Sequence, residues 1–92
     1  MMTSTVCIAI DPDSLVDTLR HEAAEKLKQA EGELVLDFSS VVRIDTPAVK
    51  ALEELADLAE RASVKIVLRG TNVALYRALK LLDLTPKFTF VL

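Results

Sequence analysis

Apolar positions in this chain recur with two different periods, and the switch between them predicts the elements. Residues 5–10, TVCIAI, are β-branched and apolar and stop at Asp11-Pro12, which predicts a first strand. Asp11-Pro12-Asp13-Ser14 reads as a turn that also supplies helix caps. Ser14 with Asp17 three residues on fits a capping box, with Asp11 and Asp13 as alternative caps. A helix is predicted over 14–30, because Leu15, Leu19, Ala23, Leu27 and Ala30 fall on one face. Arg20, Glu22, Glu25, Lys26 and Gln29 take the opposite face, and Glu22 and Lys26 have the favourable i,i+4 order. Gly32 stands where a helix stop is expected.

The second strand is predicted over Glu33 to Phe38. Leu34, Val35 and Leu36 are apolar on successive residues, which predicts a parallel strand covered on both faces. Residues 39–45 form a connection, with Val42 and Ile44 expected to tuck under it. A second helix is predicted over 47–62. Its stripe is Val49, Leu52, Leu55, Ala56, Ala59 and Ala62, with Lys50, Glu53, Glu54, Asp57, Glu60 and Arg61 in water. Val64 to Leu68 predicts a third strand. Arg69-Gly70-Thr71-Asn72 is a turn and cap for a third helix over 72–82, buried through Val73, Tyr76, Leu79 and Leu82. Thr85-Pro86 closes the connection, and Phe88 to Val91 form a fourth strand. The order is βαβαβαβ. Each crossover is long enough for parallel pairing, so the expectation is an α/β fold with a mostly parallel four-stranded sheet. In such sheets ligands and partners meet the carboxyl ends of the strands. The turns after Ile10, Phe38 and Leu68 should share that edge.

Composition narrows the function classes. At 92 residues and 51% apolar content, the chain can bury one modest core, which predicts a single domain over residues 1–92. Aromatics at 4% leave that core to Leu, Val, Ile and Ala. A net charge of −3, with no cluster of Lys and Arg, gives no footprint for nucleic acid or anionic membranes. One cysteine makes no internal disulfide, no run reaches membrane-span length, and MMTSTVCIAID lacks the basic start of a signal peptide. The expected location is cytoplasmic. No internal repeat, linker or low-complexity tract is visible.

Few residues offer catalytic chemistry, so no enzyme and no cofactor is expected. His21 lies among charged residues and reads as solvated. Cys7 sits mid-strand and reads as a buried inert thiol. One His and one Cys cannot assemble an ordinary zinc site, and two glycines make no phosphate-cradling loop. Asp11, Asp37 and Asp45 could gather at the strand ends around Mg²⁺, but such aspartates more often cap helices, so no metal is expected.

Two segments together resemble the STAS domain family. The first is Leu34-Val-Leu-Asp-Phe-Ser, a short gap, Ile44-Asp45-Thr46 and an apolar-periodic helix. The second is Ile66-Val-Leu-Arg-Gly70-Thr-Asn72 with a helix ending in Leu81-Leu82-Asp83-Leu84. The match runs over residues 33–91 in order and spacing. The family includes anti-sigma factor antagonists, cytoplasmic tails of sulfate transporters and accessory subunits of lipid ABC transporters. The resemblance implies a working surface at the loop before the second helix, where antagonists carry a hydroxyl phosphorylated by a partner kinase. Here Thr46 holds the first hydroxyl position, Pro47 the second, and Ala48 the usual glycine. The chain ends at Leu92, with little room for the family's final helix, and has one clear N-terminal strand where many members have two.

The resemblance therefore implies a non-enzymatic interaction module that docks a kinase-type or anti-sigma regulator, with Thr46 as phosphorylation site. Its partner-binding residues would be Asp45, Thr46, Pro47, Ala48, Val49, Arg69, Thr71 and Asn72. Pro47 suits the first helical position and pushes Thr46 out of helical geometry, which predicts Thr46 as N-cap, worth about 1 kcal/mol. A phosphate there would meet free helix amides and add about −1.5 to −2 of charge beside Asp45. The alternative is a cytoplasmic accessory subunit of an ABC-type lipid transporter, never phosphorylated, in which Thr46 bonds a permease helix. A nucleotide-binding protein or enzyme is the third reading.

Overall fold

The computed structural model describes residues 4–91. Residues 1–3 and 92, on which the readings of the two chain ends partly fall, lie outside the described residues. Four strands, β1 (Ser4–Ala9), β2 (Gly32–Asp37), β3 (Lys65–Arg69) and β4 (Thr89–Val91), pair in chain order in one all-parallel sheet. The first connection is helical almost throughout. A 3₁₀ turn, Pro12–Ser14, leads into α1, which is built from Leu15–Asp17, a π-helical stretch Thr18–Ala23 and Ala24–Gln29. The second connection carries α2 (Thr46–Ala62), and the third α3 (Val73–Leu81) followed by a 3₁₀ turn, Thr85–Lys87. The expected α/β architecture is present.

Alternation along the strands sorts the residues into two layers. Ile8, Leu34, Leu36, Ile66 and Leu68 point to the helices. They form one core with Leu19, Ala23 and Leu27 of α1, Leu52, Leu55 and Ala59 of α2, and Leu75 and Leu79 of α3. The alternate positions lie outside that cluster: Cys7 is exposed, Val35 half-buried and Val67 buried among its strand neighbours. Strand order equal to chain order is the reason. Crossovers that all turn the same way stack every helix on one side. The expectation that β2 is covered on both faces is therefore corrected, and so is the buried Cys7, which is exposed.

Two further corrections concern the connections. Val42 does not tuck in but stands 73% exposed, and Val41 takes the buried place. Ile44 packs against the core as expected. In α3 the stripe is Leu75 and Leu79, while Val73, Tyr76 and Leu82 are exposed. Tyr76 instead meets Phe90 of β4 edge-on, ring centroids 5.0 Å apart. Asn72 caps α3 as expected, and Leu84 beyond the helix fills the core place given to Leu82.

Candidate functional site

The carboxyl edge of the sheet is held by three backbone bonds. Ile10 N–H donates to Asp37 O at 2.9 Å, Phe38 N–H to Arg69 O at 2.7 Å, and Gly70 N–H to Val91 O at 3.3 Å. Each strand end then enters a turn whose own aspartate or asparagine fixes it. Asp11 Oδ1 accepts from Asp13 N–H at 2.9 Å, and Asp37 Oδ1 from Ser39 N–H at 2.9 Å. Asp45 Oδ1 accepts from Ala48 N–H at 3.1 Å. Each carboxylate is thus committed to its local turn. Among the described residues no group of three or more His, Cys, Asp or Glu gathers in a way that could hold a metal ion.

The start of α2 differs from the sequence expectation. Asp45, with extended backbone at φ −104° and ψ 176°, is the N-cap, and Thr46 is the first helical residue. The carboxylate outranks a threonine hydroxyl as cap, and it reaches Ala48 because Pro47 between them has no N–H to offer. Thr46 is thereby relieved of capping and sits exposed, with Pro47 exposed beside it. Ala48 is buried and Val49 is half-buried against the core. The outward surface of this segment is Asp45, Thr46 and Pro47.

The turn after β3 braces the same loop. Asn72 Oδ1 accepts from Leu75 N–H at 2.7 Å, capping α3, while its Nδ2 donates to Val42 O at 3.1 Å. Gly70 has φ +73°, and a Cβ there would lie 3.0–3.1 Å from Ser39, so the two turns pack backbone to side chain. Thr71 is half-buried. Arg69 stands apart from this cluster. It pairs in register with Asp37, on the sheet face away from the helices. The Ser39 hydroxyl and then the Ser39 N–H hold the Asp37 carboxyl below its ordinary value; burial opposes them, and the Arg69 guanidinium adds the smallest lowering effect.

Beside Asp45 runs an open groove of about 720 Å³. Its walls are the first turn from Pro12 to Asp17, the loop from Val42 to Asp45, and Ala74, Leu75 and Ala78 of α3. Its ionisable lining is three carboxylates, Asp13, Asp17 and Asp45, against one guanidinium, Arg43. Sequence reading missed the wall from α3. The available signal was the small-residue spacing Ala74 to Ala78, which leaves a shallow helix face. Among the described residues no helix is long and apolar enough to cross a membrane.

The family model described as "STAS domain" matches residues 14–92 of the chain. Among curated proteins none matches it. A solved structure of a sulfate transporter family protein from Wolinella succinogenes is similar in fold. Its TM-score is 0.77 at 19% identity, over 98% of this chain and 80% of that one.

Proposed function

This chain belongs to the STAS domain family, and from that premise we propose that it is a non-enzymatic protein-interaction module docking through the carboxyl edge of its sheet. STAS domains are in general interaction modules, and the residues of this edge bind and brace but offer no nucleophile–base pair. The docking surface is Asp45, Thr46 and Pro47 with the groove beside them. Ala48 and Val49 set the angle of α2 beneath it, and Thr71 and Asn72 hold the opposite lip. Arg69 marks its far margin.

The observation that carries the reading is the displaced cap. Because Asp45 caps α2, the Thr46 hydroxyl is exposed and free of a structural duty. Phosphorylation of Thr46 by a partner kinase then adds charge at the helix mouth without unfolding the helix. The groove already holds three carboxylates to one guanidinium, so the added charge turns away an apolar or acidic partner surface. The partner is a kinase-type or anti-sigma regulator.

A second reading is the accessory subunit of an ABC-type lipid transporter. It is favoured by the apolar residues framing this edge, with Val42 73% and Val73 67% exposed. The structural neighbour's sulfate transporter family is consistent with it, although that likeness shows fold alone.

The test is a pull-down from native lysate and native membranes, with mass spectrometry of Thr46. For the switch, Thr46 carries phosphate in a fraction of molecules, and Thr46→Glu weakens partner binding at least tenfold while Thr46→Ala does not. Normal binding of every co-purifying partner by both variants eliminates the switch. Recovery of a membrane complex with unmodified Thr46 selects the second reading.

A further inference from the structure

The sheet face turned away from the helices is the largest surface the docking edge leaves unused. Its register places three rows side by side. Cys7, Val35, Val67 and Thr89 lie across the middle. Glu33 beside Lys65 flanks this row on one side, and Asp37 beside Arg69, with Ala9 and Val91 at the ends, flanks it on the other. Cys7 and Ala9 are exposed, and Val91 is 46% exposed. All-parallel sheets are found almost only with both faces covered. Here no helix is stacked on the face: Val67 at its centre is 6% exposed among its strand neighbours, Val35 and Thr89 are half-buried, and the β1 end at Cys7 and Ala9 is open.

The charges are distributed by strand. Both acids of the face, Glu33 and Asp37, are on β2, and both bases, Lys65 and Arg69, are on β3, level with them in register. Neither cross-strand couple closes into an ion pair, since the salt bridges among the described residues are Arg20–Glu54 and Lys87–Asp57. The pattern is therefore self-complementary for one particular two-fold axis. An axis parallel to the strands, between two stacked sheets and under the gap from β2 to β3, lays β2 of each copy on β3 of the other. Glu33 then faces Lys65 of the second copy, Asp37 faces its Arg69, and symmetry doubles both contacts. Val35 lies on Val67, and Cys7 lies on Thr89. The other aligned arrangement, with the axis across the strands, sets acid on acid and base on base.

We propose that this face is a homodimer interface in which a second copy of the chain stacks sheet on sheet, β2 over β3, in the aligned packing usual for sandwiches. Four strands about 4.8 Å apart, β1 to β3 five or six residues long and β4 three, make a patch of at most roughly 20 Å by 20 Å. That is smaller than the ~800 Å² per partner of a standard stable interface. The dimer accordingly forms at high micromolar concentration and dissociates on dilution. The docking edge at Asp45–Pro47 stays free in both copies, and Arg69 at its far margin is the one residue the two surfaces share.

Sedimentation velocity of the full chain across a concentration series tests the proposal, with alkylation of Cys7, the one thiol, read by mass. Wild type is expected to pass from monomer to dimer, with Cys7 reacting at least several-fold more slowly in the dimer. Glu33→Lys and Lys65→Glu are each expected to weaken self-association at least tenfold, by setting like charges face to face. An equimolar mixture of the two restores it, because every facing pair is then opposite in sign. The restoring mixture also shows that neither variant failed by misfolding. The proposal is overturned by a wild type monomeric to millimolar concentration, by variants that dimerise as wild type does, or by a mixture that stays monomeric. A monomer whose Cys7 reacts slowly also overturns it, since something other than a second copy then covers the face.

Discussion

At Asp45 and Thr46 two adjacent polar residues have separate duties, and substitution should separate them. Asp45→Ala removes the bond to Ala48 N–H, so a loss of about 1 kcal/mol in unfolding free energy is expected by urea denaturation. Thr46→Ala removes an exposed hydroxyl, so its effect on stability stays within about 0.5 kcal/mol. The sequence placed a cap here correctly but assigned it to Thr46. Pro47 is the second helical residue and not the first, because hydropathy pattern does not decide which of two adjacent capping types the chain uses. Asp37 allows a test by pH. Its folded-state pKa is lowered, so its contribution to stability is complete above the ordinary carboxylate range and lost as pH falls through the lowered value. Asp37→Asn keeps an acceptor for Ser39 N–H but loses the charge. The stability gap between the variant and wild type should be level at neutral pH and close in acid. The carboxylate is only partly buried and Ser39 is exposed to water, so the gap is small.

At the scale of elements, the turns decide where the strand ends point, and Gly70 is the residue on which two of them depend. Gly70→Ala forces a side chain into left-handed backbone, at about 1–2 kcal/mol, and presses its Cβ against Ser39. With each kcal/mol worth about 4–8 °C in a domain of this size, a fall in Tm of at least that much is expected by calorimetry. Glycine after a strand announced the turn in the sequence. Its contact with Ser39 did not, because that is a meeting of two loops thirty-one positions apart. The same limit explains Val41 and Val42. Either could have faced inward on periodicity, since the segment is neither strand nor helix. The bond from Asn72 to Val42 O that ties the loop down comes from the far turn. Helices α1 and α2, by contrast, were legible through their long apolar stripes.

For the whole molecule, strand order has more consequences than any one side chain. Successive apolar residues in β2 suggested two covered faces, and the expectation failed because hydropathy reports that a residue tolerates burial, not which layer supplies it. Chain-order pairing sends all three crossovers to one side, so neighbours in β2 that look alike in sequence lead different lives. Leu36 is fully buried under the helices, and Val35 is only half-buried on the open side. Leu36→Ala should cost about 2–5 kcal/mol, the range for a cavity in a packed core. In dilute protein Val35→Ala should cost well under half as much, because no packed layer closes over it. At concentrations where the protein self-associates, the Val35 variant should fall further behind wild type, since the second copy then supplies the missing layer and its binding adds to apparent stability. The Leu36 variant should show no such additional loss with concentration. Equal costs for the two substitutions in dilute solution would mean that the chain itself closes over both sides of the sheet, which is the arrangement its hydropathy alone suggested.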